Sequence, residues 1–236
     1  MEALRQQAGE PDAAASTESA SAGALTLIPP MGRTFYQRRG KRMLDVLLGT
    51  LLFVGLLPLM VVAALAVLAT SGWPIFYKAE RIGLHGHRFR MLKFRTMVRH
   101  ADKVLRELLR TDDALAAEYR RTLKLRKDPR RTKLGVTFRK FSIDELPQLW
   151  HVITGKMSLV GPRPYAVEEA PLLSRRREIL LLTPGLTGPW QVQGRNELPV
   201  SQRIELDADY AAGLRLGRDL RYLLATANCL VRPNGL

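Results

Sequence analysis

The densest chemistry in the chain lies in Arg139-Lys140-Phe141-Ser142-Ile143-Asp144-Glu145-Leu146-Pro147-Gln148-Leu149-Trp150. Two adjacent carboxylates precede Pro147. A proline in the first helical turn costs little, because that N–H has no partner within the helix. With Asp144 as the N-cap, the positive end of the helix favours ionised carboxylates, and Arg139 and Lys140 favour them further. An ionised aspartate is a nucleophile toward phosphorus, and a neighbouring glutamate can ligate a divalent cation. The same spacing, Ser142-x-x-Glu145, also makes a capping box in which Asp144 only answers the helix dipole. Spacing alone leaves both readings standing.

Two further segments offer cations to an anion. In Gly161-Pro162-Arg163-Pro164 the prolines restrict Arg163 and its neighbours to extended geometry. A guanidinium on so stiff a loop suits bidentate phosphate contacts, although a surface turn with an incidental arginine has the same sequence. In Lys93-Phe94-Arg95-Thr96-Met97, Lys93 and Arg95 share one face of a strand while Phe94 packs on the other. A shared anion explains that pair, and so does a solvated strand face. Arg81 with Gly83 and Gly86 is a similar case. The chain holds no GxxxxGK[ST], HExxH or GxSxG. Any phosphate is therefore held by side chains and a metal.

The elements that must position these residues follow from pattern. PIFYKAERIG and GHRFRMLKFRTM read as two short strands around the Gly83–Gly86 turn. Residues 99–125 carry Val104, Leu105, Leu108, Leu109 and Leu115 at helical spacing, up to the interruption at Lys127-Asp128-Pro129. A helix is expected from about Ser142 to Ile153, and SRRREILLLT reads as an interfacial basic–apolar helix. A Pro/Gly-rich loop at 184–189 precedes helix-like stretches at 200–213 and 217–230.

Upstream, Val46 to Ala69 contains no charged residue. Those two dozen positions reach roughly 36 Å as a helix, against a bilayer core of about 30 Å. Membrane insertion is the default reading, since a helix in so small a soluble domain is seldom apolar on every face. Basic residues flank both sides: Arg38, Arg39, Lys41 and Arg42 before, then Lys78, Arg81, Arg88, Arg90 and Lys93 after. A single span carries its basic bias on the cytoplasmic side. Pro58 favours a kink in mid-run. Together these suggest a re-entrant helix pair that dips in and returns, with an ordinary kinked span as the alternative.

The chain has 236 residues, and 37 Lys and Arg against 22 Asp and Glu leave a formal charge of +15. An anionic partner is implied: nucleic acid, acidic lipid or phosphorylated small molecules. Residues 1–32 hold one Arg and four acidic residues and lack periodicity, which reads as a disordered leader without the basic start of a secretory signal. One cysteine, Cys229, excludes a disulfide framework within the chain, and four histidines make a histidine-rich metal site improbable. Aromatic residues are 7% of the chain, so no base-stacking platform stands out.

The order of the segments resembles one family. Lys41 to Asp45 (KRxxD), the proline-broken apolar run, ERIG, KFRTM, DPR before LG, SxDELPQLW, SLVGPRP and PGLTGxWQVxGRN together look like the bacterial sugar transferases. These are small monotopic polyprenyl-phosphate phosphoglycosyl transferases, and the resemblance covers about residues 38–236. It implies a mainly helical α/β monotopic membrane protein. Its parts would be a leader (1–32), a re-entrant membrane hairpin bent at Pro58 (33–72) and a small strand-containing catalytic domain with interfacial amphipathic helices (73–236). That domain would sit on the cytoplasmic face of the bacterial inner membrane.

The resemblance further implies that Asp144 attacks the β-phosphorus of a UDP-hexose, releasing UMP, and that undecaprenyl phosphate then takes the hexose phosphate. Glu145 would bind Mg²⁺. Arg139 and Arg163 would hold the diphosphate or the lipid phosphate, with Pro162 in the same motif and Lys93 and Arg95 supporting the site. Gln193 and Arg195 match the tail motif. Membrane lipid joins the expected partners and nucleic acid does not, while a homodimer stays open. The competing reading is a non-catalytic membrane-tethered basic protein that binds acidic lipid or nucleic acid.

Overall fold

A computed structural model describes residues 34–122, 125, 127–193 and 198–231, and these fall within one unit, Arg33–Leu236. A π-helical turn, Tyr36–Gly40, runs into α1, Lys41–Ser71, which carries Pro58 inside a single helix. Residues 36–71 are, among the described residues, the one helix long and apolar enough to cross a membrane. Glycine 72, at φ +69°, ends α1 in a conformation that side chains rarely adopt.

One stripe of α1 packs against the rest of the chain along its whole length. Leu48, Phe53 and Leu56 join the core around Leu149, Val152 and Leu159, while Ala63 and Val67 pack with Phe94 and Phe138. Gly49 lies so near α5 (Leu149–Thr154) that a Cβ there would stand 3.0 Å from Val152 Cγ1. The opposite stripe, with Leu47, Leu51, Val54, Val62 and Leu65, is exposed and apolar.

Both ends of α1 are tied down by polar bonds. At the start, Asp45 accepts from Ser158 Oγ at 2.7 Å and Leu159 N at 2.9 Å, and Lys41 Nζ bonds Asp219 Oδ2 at 2.6 Å. Tyr36 and Tyr210 donate to the same Asp219 carboxylate, which is 1% exposed. At the far end, Arg95 Nη2 donates to the carbonyls of Ser71 and Gly72, satisfying acceptors that a helix C-terminus leaves open.

The two expected strands are β1, Phe76–Ile82, and β2, Arg88–Phe94, an antiparallel hairpin in which Tyr77 faces Lys93 and Arg81 faces Phe89. The long helical stretch after it is divided at Asp112 into α2, Ala101–Thr111, and α3, Asp113–Thr122. Helix α4, Lys133–Lys140, is N-capped by Thr132, whose Oγ1 accepts from Gly135 N at 2.9 Å. After α5, a short parallel pair joins β3, Ser158–Val160, to β4, Gly185–Thr187. The SRRREILLLT segment forms only a 3-10 turn at Arg177–Leu181, with Ile179 buried. Helices α6 (Pro189–Gln193), α7 (Val200–Ala212) and α8 (Leu216–Val231) complete the described chain.

Candidate active site

The Asp-Glu pair lies on a 3-10 segment, Ile143–Gln148, that precedes α5. Asp144 is inside its first turn and does not cap it. The cap position belongs to Ser142, which adopts a left-handed φ of 55° and makes no side-chain cap bond. No capping box forms, because the Glu145 carboxylate turns to β2, where Lys93 Nζ reaches Glu145 Oε1 at 2.7 Å. Lys93 Nζ is also 4.0 Å from Asp144 Oδ2.

The two carboxylates sit in different surroundings. Asp144 is 6% exposed, whereas the Glu145 side chain is 33% exposed. Burial pushes the Asp144 carboxyl above its ordinary range. Lys93 offsets part of that, the Glu145 charge adds to it, and Arg139 offsets some more. The expectation that its surroundings favour the ionised form is thus corrected: desolvation outweighs the cations. Arg139, on α4, is half-buried and donates through Nε to Thr96 Oγ1 at 3.0 Å.

Lys93, Arg139, Asp144 and Glu145 therefore come together, on one strand, one helix and one 3-10 turn. Arg95 does not join them, since its guanidinium holds the end of α1. Gln193 is exposed at the end of α6, and Arg195 lies outside the described residues.

Arg163 belongs to a second group. Its loop is held by main-chain bonds from Gly185 N to Pro162 O at 2.8 Å and Gly161 N to Thr187 O at 2.9 Å. Gly161 has no room for a side chain there, as a Cβ would meet Thr183 O at 2.5 Å. Asp207 of α7, fully buried, accepts from Arg163 N at 2.9 Å and Tyr165 Oη at 2.8 Å, both on Oδ2. Asp207 was missed by sequence reasoning. Its signal is only a carboxylate on the apolar face of a helix, and its partners lie some forty residues away.

Burial raises the Asp207 carboxyl to about 6, against the bonds from Arg163 and Tyr165 that lower it. A folded-state value above the unfolded one favours the protonated form, so this contribution to stability is complete below about pH 4 and lost as pH rises through 6. Asp207→Asn is expected to gain stability relative to wild type by up to ~3 kcal/mol between pH 4 and pH 8. Paired urea titrations across that range check this, and a pH-independent difference would contradict it.

Among the described residues no three ligating side chains gather into a metal cluster. The available donor set is the partly open Glu145 carboxylate next to any bound phosphate oxygens. That fits Mg²⁺, which commonly binds through one or two carboxylates plus substrate phosphates.

The profile of the family described as bacterial sugar transferase matches residues 36–233. The exopolysaccharide production protein ExoY of Sinorhizobium fredii is 43% identical over 81% of this chain and 86% of its own length. A UDP-galactose-lipid carrier transferase of Erwinia amylovora is 41% identical over 83% of this chain but 41% of its own length. A UDP-glucose:undecaprenyl-phosphate glucose-1-phosphate transferase of Caulobacter vibrioides is 39% identical over 88% of this chain and 76% of its own. The chain thus spans about two fifths of the longer relatives. It belongs to the bacterial sugar transferase family.

Proposed function

We infer that this chain is a priming phosphoglycosyl transferase that moves hexose-1-phosphate from a UDP-hexose to undecaprenyl phosphate in exopolysaccharide synthesis. The observation that carries this reading is the buried Asp144 between Lys93, Arg139 and the more open Glu145. Relatives named for sugar transfer to a lipid carrier, in one of them undecaprenyl phosphate, support it.

The ionised Asp144 carboxylate attacks the β-phosphorus. The bond from that phosphorus to the oxygen bridging it to the α-phosphate breaks, UMP leaves, and an aspartyl-phosphosugar remains. A phosphate oxygen of undecaprenyl phosphate then attacks the same phosphorus, returning the carboxylate and giving the lipid diphosphate-hexose. Burial raises the energy of the Asp144 anion in water's absence, which sharpens it as a nucleophile, while Lys93 and Arg139 keep it accessible. Glu145 is the residue that would hold Mg²⁺, which when bound offsets charge on the diphosphate oxygens. Arg139 and Arg163 hold the diphosphate or the lipid phosphate. Incubation of the purified chain with undecaprenyl phosphate and a panel of UDP-sugars tests this. UMP release with UDP-galactose or UDP-glucose is expected, and none with any UDP-sugar would contradict it.

The anchor fits the same chemistry. A straight 31-residue α1 would reach about 46 Å, long enough to part its ends across a bilayer. Yet Asp45 near one end and Ser71 at the other both bond side chains or main chain of the same unit. That supports a re-entrant, monotopic helix on the cytoplasmic face of the inner membrane, with the lipid phosphate at the level of Asp144. In a Cys229→Ser background, Thr34→Cys and Thr111→Cys, at exposed positions on either side of the helix, are expected to resist an impermeant maleimide from outside and to label together after permeabilisation. Labelling of one from outside and the other only from inside would indicate a span.

A further inference from the structure

The ladder of the β1–β2 hairpin turns every second main-chain N–H outward, and one of these lies beside a residue of the candidate site. Gly83 N donates to His87 O at 2.8 Å and closes the turn. Bonded and non-bonded positions alternate from there along an antiparallel pair. Leu92, opposite Lys78 and five pairs further on, falls at a non-bonded position with its N–H directed away from β1. Leu92 is half-buried, so this donor needs a partner other than bulk water. His151 supplies it, accepting at Nε2 over 3.1 Å.

His151 lies on α5 and is 4% exposed. Its ring stands nearly perpendicular to that of Phe89 on the same strand, at 78° with centres 5.7 Å apart. A neutral imidazole that accepts at Nε2 carries its proton on Nδ1. That Nδ1 is enclosed and has no acceptor. Burial, and after it the charge of Lys156, disfavours the protonated ring, which keeps Nε2 able to accept. An apolar side chain would fill this place without an unpaired nitrogen. It would not hold Leu92.

The residue after Leu92 is Lys93, whose Nζ reaches Glu145 Oε1 at 2.7 Å and stands 4.0 Å from Asp144 Oδ2. Strand β2 is therefore fastened at two adjacent residues. Glu145 holds it from the 3-10 turn through a side chain, and His151 holds it from the following helix through the main chain. A lysine ammonium rides on a flexible four-carbon stem, so its resting place depends on where the main chain is anchored. A misplacement of about 1 Å in a site of this kind can lower a rate roughly 10²-fold.

We propose that His151 is a positioning residue of the candidate active site: by accepting the Leu92 N–H it locks β2 to α5 and sets Lys93 against Asp144 and Glu145. It acts through Lys93 rather than on substrate. The consequence for catalysis rests on the function proposed above, whereas the fastening of the strand does not.

The test uses the full chain in nanodiscs with His151→Leu, which fills the space without an acceptor, and His151→Gln, whose amide oxygen reaches as far as Nε2. Hydrogen exchange of the peptide that carries Leu92 is read first, without substrate. His151→Leu is expected to speed exchange there about tenfold, and His151→Gln to restore protection. UMP release from UDP-hexose is then followed across pH. For His151→Leu, kcat/KM is expected to fall about 10- to 100-fold. Its rising limb should also move to higher pH, because burial disfavours the Asp144 anion and Lys93 is the foremost group that favours it. His151→Gln should recover most of the rate and the position of the limb. Equal losses in the two variants with an unmoved limb would make His151 a space-filler and overturn the proposal, as would unchanged exchange at Leu92 in His151→Leu. Should His151→Leu fail to fold, His151→Asn, whose amide stops at the depth of Nδ1, takes its place. A wild type that releases no UMP from any UDP-hexose would overturn the proposed function, and exchange at Leu92 would still decide the fastening. UMP release by wild type, with rate and pH profile unaltered in His151→Leu, would overturn the positioning role and leave that function standing.

Discussion

Asp144→Asn is expected to lower UMP release from UDP-hexose by roughly four orders of magnitude or more, the scale seen when a covalent nucleophile is removed. The amide keeps the shape of the carboxylate but has no charge to bring to phosphorus. The loss should not come from unfolding. Burial pushes the Asp144 carboxyl up, so its ionisation costs the folded chain stability, and a neutral isostere is expected to melt no lower than wild type. For the same reason kcat/KM of the wild type should climb with pH as Asp144 ionises, through a midpoint above that of an ordinary aspartate. A variant that melts like wild type and keeps full activity would remove Asp144 from the chemistry.

Glu145→Gln is expected to lower turnover by about 10²- to 10³-fold, in line with loss of one group that stabilises developing charge. It should also raise the Mg²⁺ concentration needed for half-maximal rate. A second effect separates this from simple damage. The Glu145 charge helps to raise the Asp144 carboxyl, and Lys93 is shared between the two. With that charge gone and Lys93 free to turn to Asp144, the rising limb of the pH profile should move to lower pH. An unchanged Mg²⁺ requirement with a shifted limb would mean that Glu145 acts only on its neighbours.

The site was legible where its residues are close in sequence. The Asp-Glu pair and the hairpin that carries Lys93 follow from spacing and alternation over fewer than a dozen residues each. The apolar stretch of α1 was equally plain. What escaped depends on distant partners. The 3-10 segment with Ser142 in a left-handed turn replaces the first half of the expected helix, whose second half is α5, and no capping box forms because Glu145 bonds Lys93 fifty-two residues away. Arg95 looks like a phosphate ligand beside Lys93, yet it closes the carbonyl end of α1. Asp207 and Asp219 are buried carboxylates whose partners come from other elements. Local pattern carries no trace of such pairings.

Mass spectrometry of the wild-type chain, quenched in acid during incubation with UDP-hexose and Mg²⁺ but without undecaprenyl phosphate, bears most directly on the covalent route. Expected is a peptide containing Asp144 that carries one hexose phosphate, formed with UMP and discharged when the lipid phosphate is added. Active enzyme that yields no such adduct, and releases UMP only when both substrates are present, would contradict it.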